Sequence, residues 1–283
     1  MKPPADLPPS ALGLSGGVEL RCAADSAGRS ILERQYFRPP IHIGKPYHDQ
    51  DADVLLVNLA CPTAGLLEND RVRCDVTVGP GGRLLLTTPG ATRAHAMRGG
   101  KAIVEQRLVV ESGGFLEYAP EILILQRDSH LVQSTAIEVA SGGELVFTES
   151  IAPGRVAHGE SFAFSEFSNK LRIHINGYPV ARESFRLRPD DGSLLPWTKA
   201  FPTPWYAAFY CLSEKIVTDL PGRDDLHSLS DEQTRIGATR LHRGGWVIKI
   251  LAADSIALRK VMAATRKSLY AALQRPEPSF RRY

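Results

Sequence analysis

Apolar positions in the first half of the chain recur in three similar blocks: Val76–Thr88 (VTVGPGGRLLLTT), Leu108–Ala119 (LVVESGGFLEYA) and Ile137–Ser150 (IEVASGGELVFTES). Each block is a short β-branched run, a glycine pair, and a second strand of alternating apolar residues. The pairs Gly81-Gly82, Gly113-Gly114 and Gly142-Gly143 are spaced 32 and then 29 residues apart. A unit of that length cannot bury its own apolar face, so its repetition predicts stacked β coils, a β-helix or solenoid in a mainly β protein. The glycines supply the positive φ that a sharp strand reversal needs. Three separate hairpins in a sandwich are the alternative. Stacking places Leu84, Leu116 and Leu145 on one apolar ladder.

The rest of the pattern fits around these blocks. Val18–Cys22 and Ser30–Phe37 read as a strand pair, Arg38–Pro46 as extended, and Asp53–Leu59 as a continuously apolar buried strand. Cys61–Asp70 is a loop marked by Pro62, Gly65 and Asn69. Lys170–Ile175 and Val180–Leu187 flank Asn176-Gly177, a strong hairpin signal. The turn-rich Pro189–Pro204 is expected to end the β body. Trp205–Ile216 is ambiguous between strand and helix, Asp224–Gln233 suits a short helix, and Thr239–Leu241 with Trp246–Leu251 suits a hairpin. From the N-cap Asp254 onward, Leu258, Val261, Met262, Leu269, Ala272 and Leu273 fall on one helical stripe. Arg259, Lys260, Arg266 and Lys267 fall on another, which predicts a C-terminal amphipathic helix with a basic outer face in water. The expected division is a flexible lead-in over 1–17, a stacked β-coil body over 18–204 and an α+β portion over 205–283.

Composition narrows the function classes. The 283 residues are 43% hydrophobic and 23% charged with a formal charge of +3, spread along the chain, so no concentrated basic face for nucleic acid is expected. No stretch approaches the ~18 consecutive apolar residues of a membrane span. The N-terminal MKPPADLPPSALGLSGG lacks an apolar h-region, and the four cysteines form no C-x-x-C pair; both favour a cytoplasmic, disulfide-free protein.

Catalytic signatures are absent from the sequence: there is no G-x-S-x-G, H-E-x-x-H, P-loop or G-x-G-x-x-G opening a helix. The eight histidines include no helical i,i+4 pair, although His42 and His48 share one extended segment. Glu149, Glu160 and Glu183 are isolated carboxylates on β elements, expected in solvent.

Several stretches together resemble the urease accessory protein family UreD, named UreH in some bacteria. Leu84–Glu121 is similar to the family's leucine run, its T-T-P-G-A-T-[KR] turn (Thr87, Thr88, Pro89, Gly90, Thr92, Arg93) and its L-x-V-x-x-G-x-x-L-E-[WY]-x-P segment. Cys61–Pro80 resembles P-x-x-G-L-x-x-G-D. Gly154–Phe162 resembles G-R-x-A-x-G-E-x-F, with Gly159 and Glu160 in place, and Gly177–Pro189 resembles G-x-P-x-x-x-E-x-x-x-L. The resemblance implies a scaffold without catalytic activity or a tightly bound cofactor. It also implies a UreF-like partner, a nickel-carrying UreG-like GTPase reached through the complex, and apo-urease as the recipient of nickel in transit. An internal polar tunnel is part of the implied fold, with Asp70, Thr92, Glu149 and Glu183 as its candidate lining. A transit path suits isolated oxygen or nitrogen ligands, because the ion must also leave.

The chain departs from the family pattern at Glu68-Asn69, at Ala94–Arg98 and at Glu121-Ile122. These departures leave room for a divergent paralogue maturing another metalloenzyme. A β-helical carbohydrate-active enzyme would want secretion, paired carboxylates and stacked asparagines, of which the chain has four in all. Asp70 at a strand entrance can either cap the turn or face a cavity. A cap is expected to tolerate Asp70→Asn within ~1 kcal/mol, whereas a metal-path carboxylate is expected to lose nickel loading. The expectation here is that Asp70→Asn leaves folding and partner binding intact and lowers nickel loading.

Overall fold

The computed structural model describes residues 13–63, 65–217 and 219–280. Residues 1–12 of the expected lead-in lie outside them, and the first strand already begins at Ser15. The chain runs through β1 (Ser15–Ala24), β2 (Ser30–Arg38), β3 (His42–Ile43), β4 (Tyr47–Asp49) and β5 (Val54–Ala60). The three blocks follow. The first is β6 (Arg71–Val78) and β7 (Arg83–Thr87), with a short β8 (Thr92–Ala94) behind it. The second is β9 (Ala102–Val110) and β10 (Phe115–Ala119), followed by β11 (Leu123–Leu125). The third is β12 (His130–Val139) and β13 (Glu144–Ala152). Then come β14 (Glu166–Ile175), β15 (Tyr178–Leu187), α1 (Leu195–Thr198), β16 (Trp205–Leu212), α2 (Arg223–Ser228), β17 (Thr234–Arg240), β18 (Trp246–Ala252) and α3 (Ser255–Ala272).

The two strands of each block do not pair with one another. They lie in different sheets, a seven-stranded one ordered β15-β14-β12-β9-β6-β1-β2 and an eleven-stranded one built around β18-β16-β13-β10-β7-β5. Within each sheet the successive coils stack in parallel. The fold is a flattened β-solenoid of about four turns. Gly81, Gly113 and Gly142 have φ of 68°, 73° and 74°, the left-handed conformation in which a Cβ is strained, and each turns the chain from one sheet to the other. The turns themselves stack: the Gly81 N–H donates to the Gly113 carbonyl, and the Gly113 N–H to that of Gly142.

The two strands of a block differ in pattern because the two sheets differ in surroundings. The seven-stranded sheet is buried on one face, so β6 alternates, with Val72, Cys74, Val76 and Val78 inside. The middle strands of the eleven-stranded sheet are buried on both faces, so β7 carries the unbroken run Leu84–Leu86, and β13 is buried along its whole length, its polar residues included. Its inner residues share the inter-sheet core, while Leu85, Phe115 and Val146 pack under α2 and α3. The ladder is present: Leu55, Leu84, Leu116 and Leu145 are register partners in parallel, and Leu145 meets Leu212 across the antiparallel β16.

The β body does not stop at Pro204. The strand β16 re-enters beside β13, and β18 and β17 extend the same sheet. Trp205–Leu212 resolves as a strand because it is buried on both faces there, a requirement that local composition does not reveal. The Asn176-Gly177 hairpin forms as expected, with φ of 50° and 76°. The helix α3 is capped by Asp254, whose Oδ1 accepts the N–H groups of Ile256 and Ala257 at 2.8 Å. Its basic face is not wholly in water, because Arg266 is buried against the sheet.

Candidate functional site

Alternation directs β-branched and leucine side chains into the inter-sheet core, yet several inward positions are polar. The seven-stranded sheet contributes Gln106, Gln133, Thr135, Asn169 and Glu183, and the eleven-stranded sheet contributes Tyr118, Glu149 and Lys249. They form three hydrogen-bonded groups. Gln106 donates to the Tyr118 hydroxyl and accepts from Thr135 at 2.8 Å; Gln133 donates to Asn169 at 3.4 Å. Asn169 donates to Glu149 Oε2 at 3.0 Å, and Lys249 donates to Glu183 Oε1 at 2.6 Å.

Members of this polar line lie on the walls of two openings. A cavity of about 440 Å³ between the sheets has Thr92, Gln106, Tyr118, Gln133 and Glu149 on its wall. A second pocket of about 480 Å³, at the β15–β18–β17 end, is lined by Glu183, Lys249, Gly237, Tyr206 and Trp197. Of the four candidate lining residues, Thr92 and Glu149 share the first space and Glu183 sits in the second. Asp70 lines neither.

Glu149 is buried, not solvated as its sequence context suggests; its strand is enclosed on both faces. Burial pushes its carboxyl up to about 7; the Asn169 hydrogen bond opposes this, the charge of Glu183 adds to it, and that of Lys249 opposes it. Among the described residues, Glu149 Oε1 has no hydrogen-bond partner.

Asp70 is buried at the β6 entrance, where Oδ1 accepts the Leu14 N–H at 2.9 Å and Oδ2 that of Leu67 at 2.8 Å. It ties the start of β1 to the loop before β6. An amide at this position keeps only one of those two bonds and turns its NH₂ toward a donor. Asp70→Asn is therefore expected to lower stability by about 1–3 kcal/mol in urea denaturation, in place of the intact folding expected from the sequence, because both carboxylate oxygens hold backbone N–H groups.

The T-T-P-G-A-T-R turn forms one wall of the cavity with Thr88, Pro89, Gly90, Thr92 and Arg93. Its hydroxyls fasten it to the next coil. Thr87 Oγ1 donates to the Ala119 carbonyl at 2.7 Å, and Thr88 Oγ1 accepts the Glu121 N–H at 2.9 Å. Glu160 and Gly159 lie outside both openings. Glu160 is buried too, because Arg155 clasps it; that hydrogen bonding holds its carboxyl down at about 2. Gly159 closes the short helical turn before it with φ of 72°. His42 packs on the Phe37 ring and His48 faces Asp53, so they form no common site. Among the described residues, no three His, Cys, Asp or Glu side chains cluster as a metal site.

The sequence reading missed a second buried constellation on the outer face of the eleven-stranded sheet. Glu117, fully buried, accepts from Arg266 Nε at 2.6 Å and Nη2 at 2.8 Å, and from the Tyr270 hydroxyl at 2.5 Å. Arg266 also donates to Glu277 at 2.6 Å. Burial disfavours the Arg266 charge, but hydrogen bonding to Glu117 and its charge outweigh it and hold the guanidinium above its usual value. Spacing offered a signal: Arg266 stands four residues after Met262 and three before Leu269, within the apolar stripe.

The match to known proteins now has a structure to rest on. Residues 15–282 match the family described as UreD urease accessory protein. The chain belongs to the UreD family. A urease accessory protein UreD of Opitutus terrae is 33% identical over 264 residues, 93% of this chain and 97% of the relative. One from Haloarcula marismortui is 28% identical over 96% of this chain and 91% of its own, and one from Acetivibrio thermocellus 26% over 87% and 94%. The matches span the solenoid and α3 together, so the polar line belongs to the part of the chain that the UreD family shares in length.

Proposed function

We propose that this UreD family member is a non-catalytic scaffold for urease maturation, through which nickel passes as cargo on its way to apo-urease. A UreF-like protein binds it, a UreG-like GTPase supplies nickel through that complex, and the assembly works in the cytoplasm. The observation that carries this reading is Glu149. It is an ionisable side chain enclosed between two sheets, on the wall of one opening and in a line of polar positions whose far members, Glu183 and Lys249, line a second. A buried carboxyl without a full set of partners is costly to keep, so a role beyond packing favours its presence. Near neutral pH it offers an oxygen ligand singly, which holds a divalent cation loosely enough to release it.

The test is co-expression with urease and its other accessory proteins in a host lacking its own UreD. Omitting the chain should leave urease nearly nickel-free. With Glu149→Gln at limiting nickel, the metal content of purified urease should fall about tenfold, the scale expected when a metal-holding group is altered. Full loading by this variant would defeat the passage reading. Stability supplies the control. Glu149 binds its proton more tightly folded than unfolded, so its contribution is full below about 4.5 and is lost as pH rises through about 7. The glutamine cannot ionise, so the variant should be at least as stable as the parent at pH 8.

A further inference from the structure

The second pocket already contains a cation. Lys249 Nζ sits 2.6 Å from Glu183 Oε1, bridging β18 of one sheet and β15 of the other at the open end of the solenoid. Glu149 and Lys249 are both register partners of Ala208, so they stand on one inward rung two strands apart. At the usual strand spacing their Cα atoms are about 10 Å apart. The ammonium therefore lies in the second pocket, on the carboxylate that the nickel-passage reading puts next after Glu149. Gly237, opposite Lys249 on β17, keeps that exit free of a side chain.

We propose that Lys249 is a tethered stopper, an ammonium that occupies the cation seat at Glu183 and admits a divalent ion only by being displaced. The inference rests on the nickel-passage reading and adds a residue that controls it. The physics is competition. An ammonium holds a carboxylate by one charge and three hydrogen-bond donors, whereas a divalent metal binds the same oxygens with twice the charge and directly. Monovalent ions, with no such advantage, stay excluded. Lys249 is half exposed, so its head can swing away from Glu183 toward solvent without unfolding the strand.

The probe is nickel chloride titrated calorimetrically into the purified full-length chain. Lys249→Met removes the charge but keeps the stem. It should bind Ni²⁺ about tenfold more tightly than the parent, and Lys249→Arg should bind as weakly as the parent. The gain should vanish when Glu183→Gln is added. Lys249→Gln carries the same test should the methionine variant fail to fold. Unchanged affinity in a folded, neutral variant would overturn the proposal and leave Lys249 as a rivet between sheets. A gain that survives Glu183→Gln, or that Lys249→Arg shares, would overturn it as well. The passage reading is scored separately by the nickel content of urease matured with Glu149→Gln. Full loading there defeats both proposals, whereas impaired loading beside unchanged Lys249→Met affinity defeats only the stopper.

Discussion

Glu117→Ala should lower the unfolding free energy by about 3–5 kcal/mol, read from the midpoint of urea denaturation. The carboxylate is fully buried and accepts three hydrogen bonds, two from one guanidinium. Removing it leaves Arg266 in the interior with Glu277 at the edge as its remaining ion-pair partner, and leaves the Tyr270 hydroxyl without its acceptor. The loss is thus mostly the cost of stranding a charge, and that makes a second expectation possible. Glu117→Leu combined with Arg266→Met should recover most of the stability, because an apolar pair of similar volume carries no desolvation cost. Strict additivity of the two single losses would show that Glu117 and Arg266 do not act as a pair.

Leu116→Ala is the second large effect, about 2–5 kcal/mol. Leu116 stands mid-ladder, fully buried, with Leu84 and Leu145 as its register partners on either side. Coils above and below are both strand-paired to β10, so the backbone cannot collapse into the space that the missing side chain leaves. A cavity that cannot relax costs the most. Val109→Ala, on the outer face of the other sheet, should cost about 1 kcal/mol or less. Equal losses at the two positions would mean that the ladder is not a core at all.

Much of this architecture was legible in the order of residues. The glycine pairs and their spacing marked the coils, and Asn176-Gly177 marked the hairpin that closes the seven-stranded sheet. Asp254 and the stripe after it marked α3. The second strand of each block reads as alternating, but LLL and LVF are unbroken, since a strand buried on both faces has no reason to alternate. The T-T-P-G-A-T-R turn was legible by resemblance, but not its work of bolting one coil to the next through Thr87 and Thr88.

The polar interior was less legible. Glu149, Glu160 and Glu183 stand out as carboxylates on strands, and by composition alone each belongs in water. Tertiary structure gives them three different fates: enclosure on the polar line, an arginine clasp, and an ion pair at an opening. Glu117 hid in the motif F-L-E-Y-A as one charge among apolar neighbours, and its partner Arg266 hid among basic residues on a helix that looked solvated.

The sequence by itself therefore determined the unit of the fold, because strand period, turn glycine and helix cap are local properties repeated along the chain. It also determined the family, through motifs spread over nearly its whole length. Tertiary structure alone decided which charges meet. Arg266 reaches Glu117 across 149 residues, Lys249 reaches Glu183 across 66, and Asn169 reaches Glu149 across 20. Those encounters depend on which coil stacks on which and on where β16–β18 and α3 close over the sheet. An isolated charge carries no record of its partner, since Coulomb attraction and hydrogen bonding act through space and leave no period in the sequence.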